Sequence, residues 1–281
     1  MNNSPSSRWQ PLGFSGGGGT ECAVLSPHDP DRLLINCDMS GAYRSEDGGQ
    51  SWSMFPWQQL LGCPFCYPVW HPRDPQRVYA AYGYPSTLRL SRDGGRTFEP
   101  IGEGLPGGLR HLAIDAGRPD RMLAATETQS FRSDDAGLTW SPCGRTQAPI
   151  LGLAFAGNAV GEPGGIGFLA TAEGVYRSED AGRSWTHAAG GLPLKRIQAF
   201  AAAAAPGGPA RLYLWLDEEK PDGSSSGEIH RSDDAGRTWR KMCDGPLYPA
   251  RGYVHSPRYL LVAPVRPDTV YRSEEHTSEL Q

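Results

Sequence analysis

The sequence predicts an all-β fold made of repeated four-stranded antiparallel sheets, and three observations predict it. The chain contains 36 Gly and 25 Pro among 281 residues, a content of turn formers that excludes a helical bundle or a coiled coil. The pattern S-x-D-x-G-x-[ST]-[WF] recurs five times, and its aromatic residues stand 42 to 54 positions apart. Ahead of several copies, segments such as SPHDPDRLLINCD show a strand, a Pro/Asp turn and a second strand. Four strands per repeat are typical of a β-propeller blade.

Each copy of the pattern is predicted to be a hairpin turn, because it follows one short apolar strand and leads into another. The Asp carboxylate can accept hydrogen bonds from turn amides, the Gly supplies a positive φ, and the aromatic residue enters the core between neighbouring sheets. These are roles in building the fold. The aspartates to which we assign them are Asp47, Asp93, Asp135, Asp180 and Asp234.

This repeat resembles the Asp-box, or BNR repeat, of the sialidase-like β-propeller superfamily, and the resemblance covers essentially the whole chain. It implies five blades and part of a sixth, out of seven in the complete protein. The predicted ranges are 14–58, 66–106, 108–148, 149–193 and 195–250, followed by 252–271. The run Gln198–Pro206 is rich in Ala, which favours helix, but the register of the repeat predicts an inner strand there.

Both termini depart from the repeat. The segment around Trp9 is expected to be the outermost strand of the last blade, which closes the ring by pairing with strands from the far end of the chain. Pro267 precedes Ser273 by only 6 residues, against 14 to 16 for the equivalent Pro in earlier blades. The last ten residues also resemble the translation of a common sequencing-library adapter. We therefore expect one incomplete propeller domain at 1–271, a non-native tail at 272–281, and a natural protein that continues beyond Tyr271.

Composition excludes several classes of partner. The net charge is −4, with no cluster of Lys or Arg, so neither nucleic acid nor an anionic membrane is expected to bind. The chain has no apolar run of the ~20 residues that a bilayer span needs, and its first residues lack the apolar core of a signal peptide. A cytoplasmic location is expected, or an extracellular one if the true N-terminus differs. With no phosphate loop or dinucleotide fingerprint in the sequence, no cofactor is expected.

Asp38 is the principal candidate catalytic residue. The stretch from the Gly run at 16–19 through CDMSGAYR resembles the opening of xyloglucan-active two-propeller glycoside hydrolases. In that family the Asp of this motif is the general base of an inverting mechanism, and the resemblance implies that role for Asp38. Ser40 stands where the family has Gly, and the family's general acid comes from a second propeller. The alternative is that Asp38 stabilises a tight loop before Gly41.

Other candidates have weaker support. A second carboxylate could be Glu127, Glu173, Asp217 or Glu218, but none has motif support and a solvated loop charge is the simpler explanation of each. A sialidase-like carboxylate-binding triad could use Arg110, Arg196 and Arg251, but the R-I-P motif that accompanies the first such arginine is absent. Sugar stacking, or packing between blades, could employ Trp57, Phe65, Tyr67, Tyr84, Tyr248 and Tyr253.

The cysteines do not predict a metal site. Cys63, Cys66 and His71 have the spacing C-x2-C-x4-H, but zinc requires four ligands and no second pair is evident. Cys22 and Cys37 are expected to lie opposite each other as reduced, buried thiols.

Two functions follow. The first is a carbohydrate-active enzyme resembling the sialidase and xyloglucanase propellers, with Asp38 in its cleft. The second is a non-catalytic scaffold that binds a glycan or a protein. In both, the ligand is expected on the face opposite the Asp-boxes, because their side chains are engaged in the turns.

Overall fold

The computed structural model describes residues 20–63, 65–155, 165–188, 190–193, 195–204, 210–219, 225–248, 260–263 and 266–272. All regular elements in these ranges are β-strands, as predicted. No helix in this part of the chain has the length and apolar character needed to cross a membrane. Two compact units make up the protein, residues 1–101 and 102–281.

The first unit contains two four-stranded sheets. Blade 1 comprises β1 (Thr20–Leu25), β2 (Leu33–Cys37), β3 (Gly41–Ser45) and β4 (Ser53–Met54). Blade 2 comprises β5 (Val69–Trp70), β6 (Val78–Tyr82), β7 (Thr87–Ser91) and β8 (Glu99–Pro100). The apolar core between them includes Leu34, Trp70, Val78 and Phe98, so the aromatic residue of the second repeat is buried as predicted.

The second unit contains three four-stranded sheets and a two-stranded one. Blade 3 comprises β9 (His111–Ile114), β10 (Met122–Ala125), β11 (Gln129–Ser133) and β12 (Ser141–Arg145). Blade 4 comprises β13 (Ile150–Phe155), β14 (Gly167–Thr171), β15 (Gly174–Ser178) and β16 (Thr186–His187). Blade 5 comprises β17 (Arg196–Ala204), β18 (Ala210–Glu219), β19 (Ser225–Ser232) and β20 (Arg240–Tyr248). The last sheet pairs β21 (Leu260–Ala263) with β22 (Arg266–Arg272).

Each four-stranded sheet is an antiparallel meander in which sequence neighbours pair. All five lie within the predicted blade ranges. The alanine-rich run forms β17, which pairs with β18 from Arg196↔Asp217 to Ala204↔Ala210, so the predicted strand is confirmed. The packing of this strand against its apolar neighbours outweighs the helix propensity of its alanines.

In blades 1 to 3, the turns that join the first two strands share the same pattern of hydrogen bonds. The residue that follows the first strand accepts amide hydrogen bonds through its side chain, whether it is Ser26, His71 or Asp115. Its own amide donates across the turn to the carbonyl of an arginine, Arg32 in blade 1. In blade 3 the capping Asp115 also forms a buried ion pair with Arg121, at 3.1 Å.

The five S-x-D-x-G-x-[ST]-[WF] segments, which we call the repeat turns, join the third and fourth strands and share one set of hydrogen bonds. In the first, Ser45 Oγ donates to Asp47 Oδ1 and accepts from the amide of Gly49, both at 2.8 Å. Asp47 in turn accepts from the amide of Ser51 at 2.8 Å and from its hydroxyl at 2.6 Å. The same contacts recur in the other four turns.

The repeat turns hold a second residue with positive φ, just before the predicted Gly. It is Gly in the first two turns and Ala in the others, where φ is 58° to 59° at Ala136, Ala181 and Ala235. Alanine is strained in this left-handed conformation. The hydrogen bonds of the neighbouring Ser and Asp side chains therefore hold the turn against its intrinsic preference.

The last hairpin contains Pro267 within β22, next to the point where the register shifts between Val262 and Ala263. A bulge leaves one residue out of the hydrogen-bond ladder, and Pro has no amide hydrogen to lose. The predicted strand around Trp9 and the tail beyond Arg272 lie outside the described residues.

Candidate functional site

Asp38 lies in the turn between β2 and β3, at the end of blade 1 opposite the repeat turn. Its side chain is exposed, and the nearest polar contact is from the Cys37 thiol, 3.9 Å from Oδ1. Gly41, which ends the turn, has a φ of 129°, a conformation that residues with a side chain rarely adopt. The turn therefore presents a carboxylate to solvent at a fixed point of the sheet.

The loop that follows blade 1 supports this turn by close backbone contact. A Cβ atom on Gly62 would lie 2.8 Å from the carbonyl oxygens of both Cys37 and Gly41. Only Gly fits at this position, because neither carbonyl can rotate away as a side chain could. Next to it, Cys63 accepts a hydrogen bond of 2.7 Å from Asn36 Nδ2. The position of the Asp38 turn is thus fixed by contact with the Gly62 loop, which lies outside the β2–β3 hairpin.

A second carboxyl group, Glu21, lies near Asp38 and was not singled out from the sequence. It is on β1, paired with Asn36 of β2, and it is partly buried. Burial raises the pKa of Glu21, and the charge of Asp38 raises it further. The sequence signal for Glu21 is weak: it lies two residues after the Gly run at 16–19 and is the charged residue of β1.

Exposed aromatic side chains lie on the loop that follows blade 1 and on the turn between β6 and β7. The rings of Phe65 and Tyr84 are 6.2 Å apart and tilted by 54°, and Tyr84 is 85% exposed. The amide of Gly83 donates to the carbonyl of Leu61, which joins the Tyr84 loop to the loop that carries Gly62. Tyr67, from the same candidate group, is half-buried. Phe65 and Tyr84 thus form a small exposed aromatic surface on loops linked to the support of the Asp38 turn.

Two of the other candidate carboxylates form ion pairs with cations of their own blades. Glu127 lies 3.5 Å from Arg110, and Glu218 lies 2.9 Å from Lys195. Asp217 is 8% exposed and stands opposite Arg196 in the register of β17 and β18.

Two predicted arginines thus face acidic residues of their own sheets. Arg251 and Tyr253 lie outside the described residues, as does the Tyr248 side chain. Glu173 is exposed, and its amide donates to Thr171 in the turn between β14 and β15.

The cysteine and histidine candidates have structural roles. His71 Nδ1 accepts the amide hydrogen bond of Asp74 at 2.9 Å, which uses the nitrogen that a metal would need on that side of the ring. Cys63 and Cys66 are buried, and burial raises the pKa of the Cys66 thiol. Within the described residues no three His, Cys, Asp or Glu side chains are placed to hold a metal ion.

Sequence comparison finds xyloglucanases. A xyloglucanase from a Paenibacillus species is 25% identical over 291 aligned positions, which cover 85% of this chain and 27% of that protein. An oligoxyloglucan-reducing end-specific xyloglucanase from Emericella nidulans is 30% identical over 84 positions, covering 29% of this chain and 10% of that protein. The chain thus spans about a quarter or less of these curated relatives. No family model matches it.

Structure comparison shows the fold. An ancestral GH74 enzyme superposes with a TM-score of 0.66 over 92% of this chain and 35% of its own, at 20% identity. The GH74 xyloglucanase from Xanthomonas campestris superposes with a TM-score of 0.56 over 81% of this chain and 46% of its own, at 22% identity. This protein therefore has a β-propeller fold of four-stranded blades and is similar in sequence to xyloglucanases.

Proposed function

We propose that this protein is a carbohydrate-active β-propeller, a glycoside hydrolase that binds a glycan at the blade ends where the Asp38 turn lies. The observation that carries the proposal is the position of Asp38, an exposed carboxylate in a turn clamped by Gly62, in a chain similar to a xyloglucanase over 85% of its length. The substrate class that this similarity favours is a branched β-glucan of the xyloglucan type.

Asp38 suits the role of general base. Such a base must be ionised and must reach a water molecule beside the anomeric carbon. The exposed Asp38 carboxylate is open to water and to a ligand, and the exposed Phe65 and Tyr84 rings offer an apolar face to a sugar ring. Within the described residues Asp38 forms no ion pair that would restrict it.

We also propose that the repeat turns are Asp-boxes with a purely structural role. Their Asp and Ser side chains form hydrogen bonds within the turn, so few of their donor and acceptor positions remain for a ligand. The glycan would therefore bind at the opposite ends of the sheets.

Replacing Asp38 by Asn tests the proposal. Hydrolysis of xyloglucan oligosaccharides is measured with the 281-residue chain. Asp38→Asn should lower kcat by about 10²-fold or more at unchanged unfolding midpoint, because an amide cannot accept the proton of the attacking water. The control is Asp31→Asn, which alters an exposed carboxylate at the other end of the same sheet and should leave turnover unchanged.

Near-normal turnover in Asp38→Asn would assign Asp38 to the loop-stabilising role. Binding of the oligosaccharide without hydrolysis by any form of the protein would favour the alternative, a non-catalytic binding scaffold. Equal losses in Asp38→Asn and Asp31→Asn would show that the effect is one of general destabilisation.

A further inference from the structure

A groove lies between the last strand of blade 1 and the repeat turn of blade 2. Its volume is about 360 Å³, at the small end of the range for ligand sites. It is lined by residues 54–56 of blade 1 and by Asp93, Arg96 and Thr97 of the second repeat turn. The groove is therefore at the end of the blades that carries the repeat turns, whereas the Asp38 turn lies at the other end.

Arg44, at the end of β3, also lines this groove and lacks the ion pair that its counterparts form. In other blades the arginine directly before the Ser of the repeat turn pairs with the acidic residue two positions on, as do Arg132, Arg177 and Arg231. In blade 1 that acidic residue is Glu46, which lies 2.8 Å from Arg96 instead. Within the described residues no carboxylate forms an ion pair with Arg44.

Two contacts fix the Arg44 side chain in the groove. Its Nη1 donates to the carbonyl of Arg96 at 3.0 Å, and its guanidinium carbon lies 5.7 Å from the centre of the Phe55 ring. A guanidinium has five N–H donors, and the bond to Arg96 uses one of them. The other donors can bind a carboxylate, and a cation that is already oriented loses little freedom when it does so.

The charges that surround Arg44 leave it as the unpaired one. Asp93 is engaged by its own turn, since it accepts from the amide of Thr97 at 2.9 Å and from its hydroxyl at 2.6 Å. Arg96 is engaged by Glu46. The group that complements Arg44 in this groove is therefore an acidic one supplied from outside.

The rest of the lining indicates what kind of molecule carries the acid. Phe55 is only 4% exposed, so the groove lacks the open aromatic face on which a sugar ring stacks. Met54 is 59% exposed, and the flexible thioether of Met adapts to other apolar side chains. Met54 belongs to β4, and among the described strands none pairs with the outer edge of β4. Such an edge can receive an extended peptide.

We propose that this groove docks an acidic peptide segment of a partner protein. A Glu or Asp carboxylate of the peptide binds the Arg44 guanidinium, and a neighbouring apolar side chain packs on Met54. The peptide backbone follows the edge of β4. The site does not depend on glycan hydrolysis, because it lies at the opposite end of blade 1 from Asp38.

The test measures fluorescence polarisation of labelled heptapeptides with the 281-residue chain. The peptides carry a central Glu between varied apolar residues, and at least one should bind with a Kd below about 100 μM. Replacing its Glu by Gln should weaken binding about tenfold or more, because a hydrogen-bonded ion pair is lost. Arg44→Gln should cause a similar loss. The control Arg92→Gln removes the same charge from an exposed residue of blade 2 outside the groove and should change the Kd less than about twofold.

A second variant leaves the packing of Arg44 on Phe55 intact. Met54→Glu adds a carboxylate at an exposed position of the groove and should weaken binding of the Glu peptide about tenfold or more at an unchanged melting temperature. Binding by none of the peptides, equal affinity for the Glu and Gln peptides, or equal losses in Arg44→Gln and Arg92→Gln would overturn the proposal. Binding of an oligogalacturonide through Arg44 in place of the peptides would also overturn it, since the groove would then serve an acidic glycan.

Discussion

At the scale of single residues, the repeat turns show how much depends on one carboxylate. Asp135 accepts the Ser133 hydroxyl at 2.7 Å and the Thr139 amide at 2.9 Å, and it also accepts the Thr139 hydroxyl. Removing it leaves turn donors without acceptors, while Ala136 remains in a strained conformation.

Asp135→Ala should therefore lower the free energy of unfolding by about 1–3 kcal/mol, as measured by urea denaturation. The control Asp120→Ala removes the same charge from an exposed residue of blade 3 and should have little effect. Glycan affinity, measured by calorimetry, should be unchanged in both variants. A selective loss of affinity at unchanged stability would show that the turn contacts the ligand.

The same hydrogen bonds make stability depend on pH. Bonds from Ser51 lower the pKa of Asp47 to about 2. In Asp180 and Asp234 burial acts to raise the pKa, but the hydrogen bonds of the turn outweigh it and the pKa falls to about 2. A carboxyl group with a depressed pKa stabilises the folded state above its unfolded pKa of about 3.9, and the contribution is lost as pH falls toward 2.

The urea midpoint should therefore fall between about pH 4 and about pH 2. Asp180→Ala, which removes one such group, should show a smaller drop over this interval than the unaltered protein. An identical drop in both would indicate that the repeat-turn carboxylates do not control acid stability.

At the scale of elements, the contact between two loops positions the candidate site. Gly62→Ala would place a methyl group 2.8 Å from the carbonyl oxygens of Cys37 and Gly41, so the Asp38 turn or the Gly62 loop must move. We expect a loss of about 1–3 kcal/mol in unfolding free energy. We also expect a fall in turnover larger than that in substrate affinity, since the base is displaced. A stable variant with normal kcat would show that the clamp is dispensable.

The elements also show what sequence can and cannot predict. The repeat turns and the blade ranges were predictable because each hairpin is specified within a few residues by Ser, Asp and Gly. The bulge of β1 between Glu21 and Val24 could not be predicted, because the residue with the left-handed backbone conformation is Cys22, with a φ of 53°, and not a Gly. The support of the Asp38 turn by Gly62 depends on tertiary contact between segments that are far apart in the sequence. Glu21 was missed for the same reason, as its relation to Asp38 is set by strand register.

At the scale of the molecule, the last hairpin covers an apolar side of blade 5. Leu260 and Val262 pack against a cluster that contains Trp215, which is fully buried, and Ile229. Two polar contacts support the hairpin: the Tyr213 hydroxyl donates to the Pro267 carbonyl at 2.6 Å, and Asp268 pairs with Arg231 at 3.0 Å.

Deleting residues 260–281 should uncover this cluster. The unfolding free energy should fall by about 3 kcal/mol or more, because exposing one large apolar side chain costs about 1.5–3 kcal/mol. Light scattering should detect association through the uncovered side. The control deletes residues 273–281 alone, which lie within the segment 272–281 interpreted from sequence as non-native, and it should leave the melting curve unchanged. A large loss in the control would refute that interpretation.

Because the hydrogen bonds between the Ser and Asp side chains and the amides of a repeat turn close within eight residues, the turns also bear on the order in which the chain folds. Short loops close in well under a microsecond and hairpins form in about 1–10 μs, long before sheets can find their neighbours. Each turn can therefore begin its own hairpin without waiting for the rest of the chain. Folding of such repeats can start at any of several places and spread outward. During synthesis on the ribosome, the repeat turns would therefore emerge one after another, and each could start the folding of its own blade.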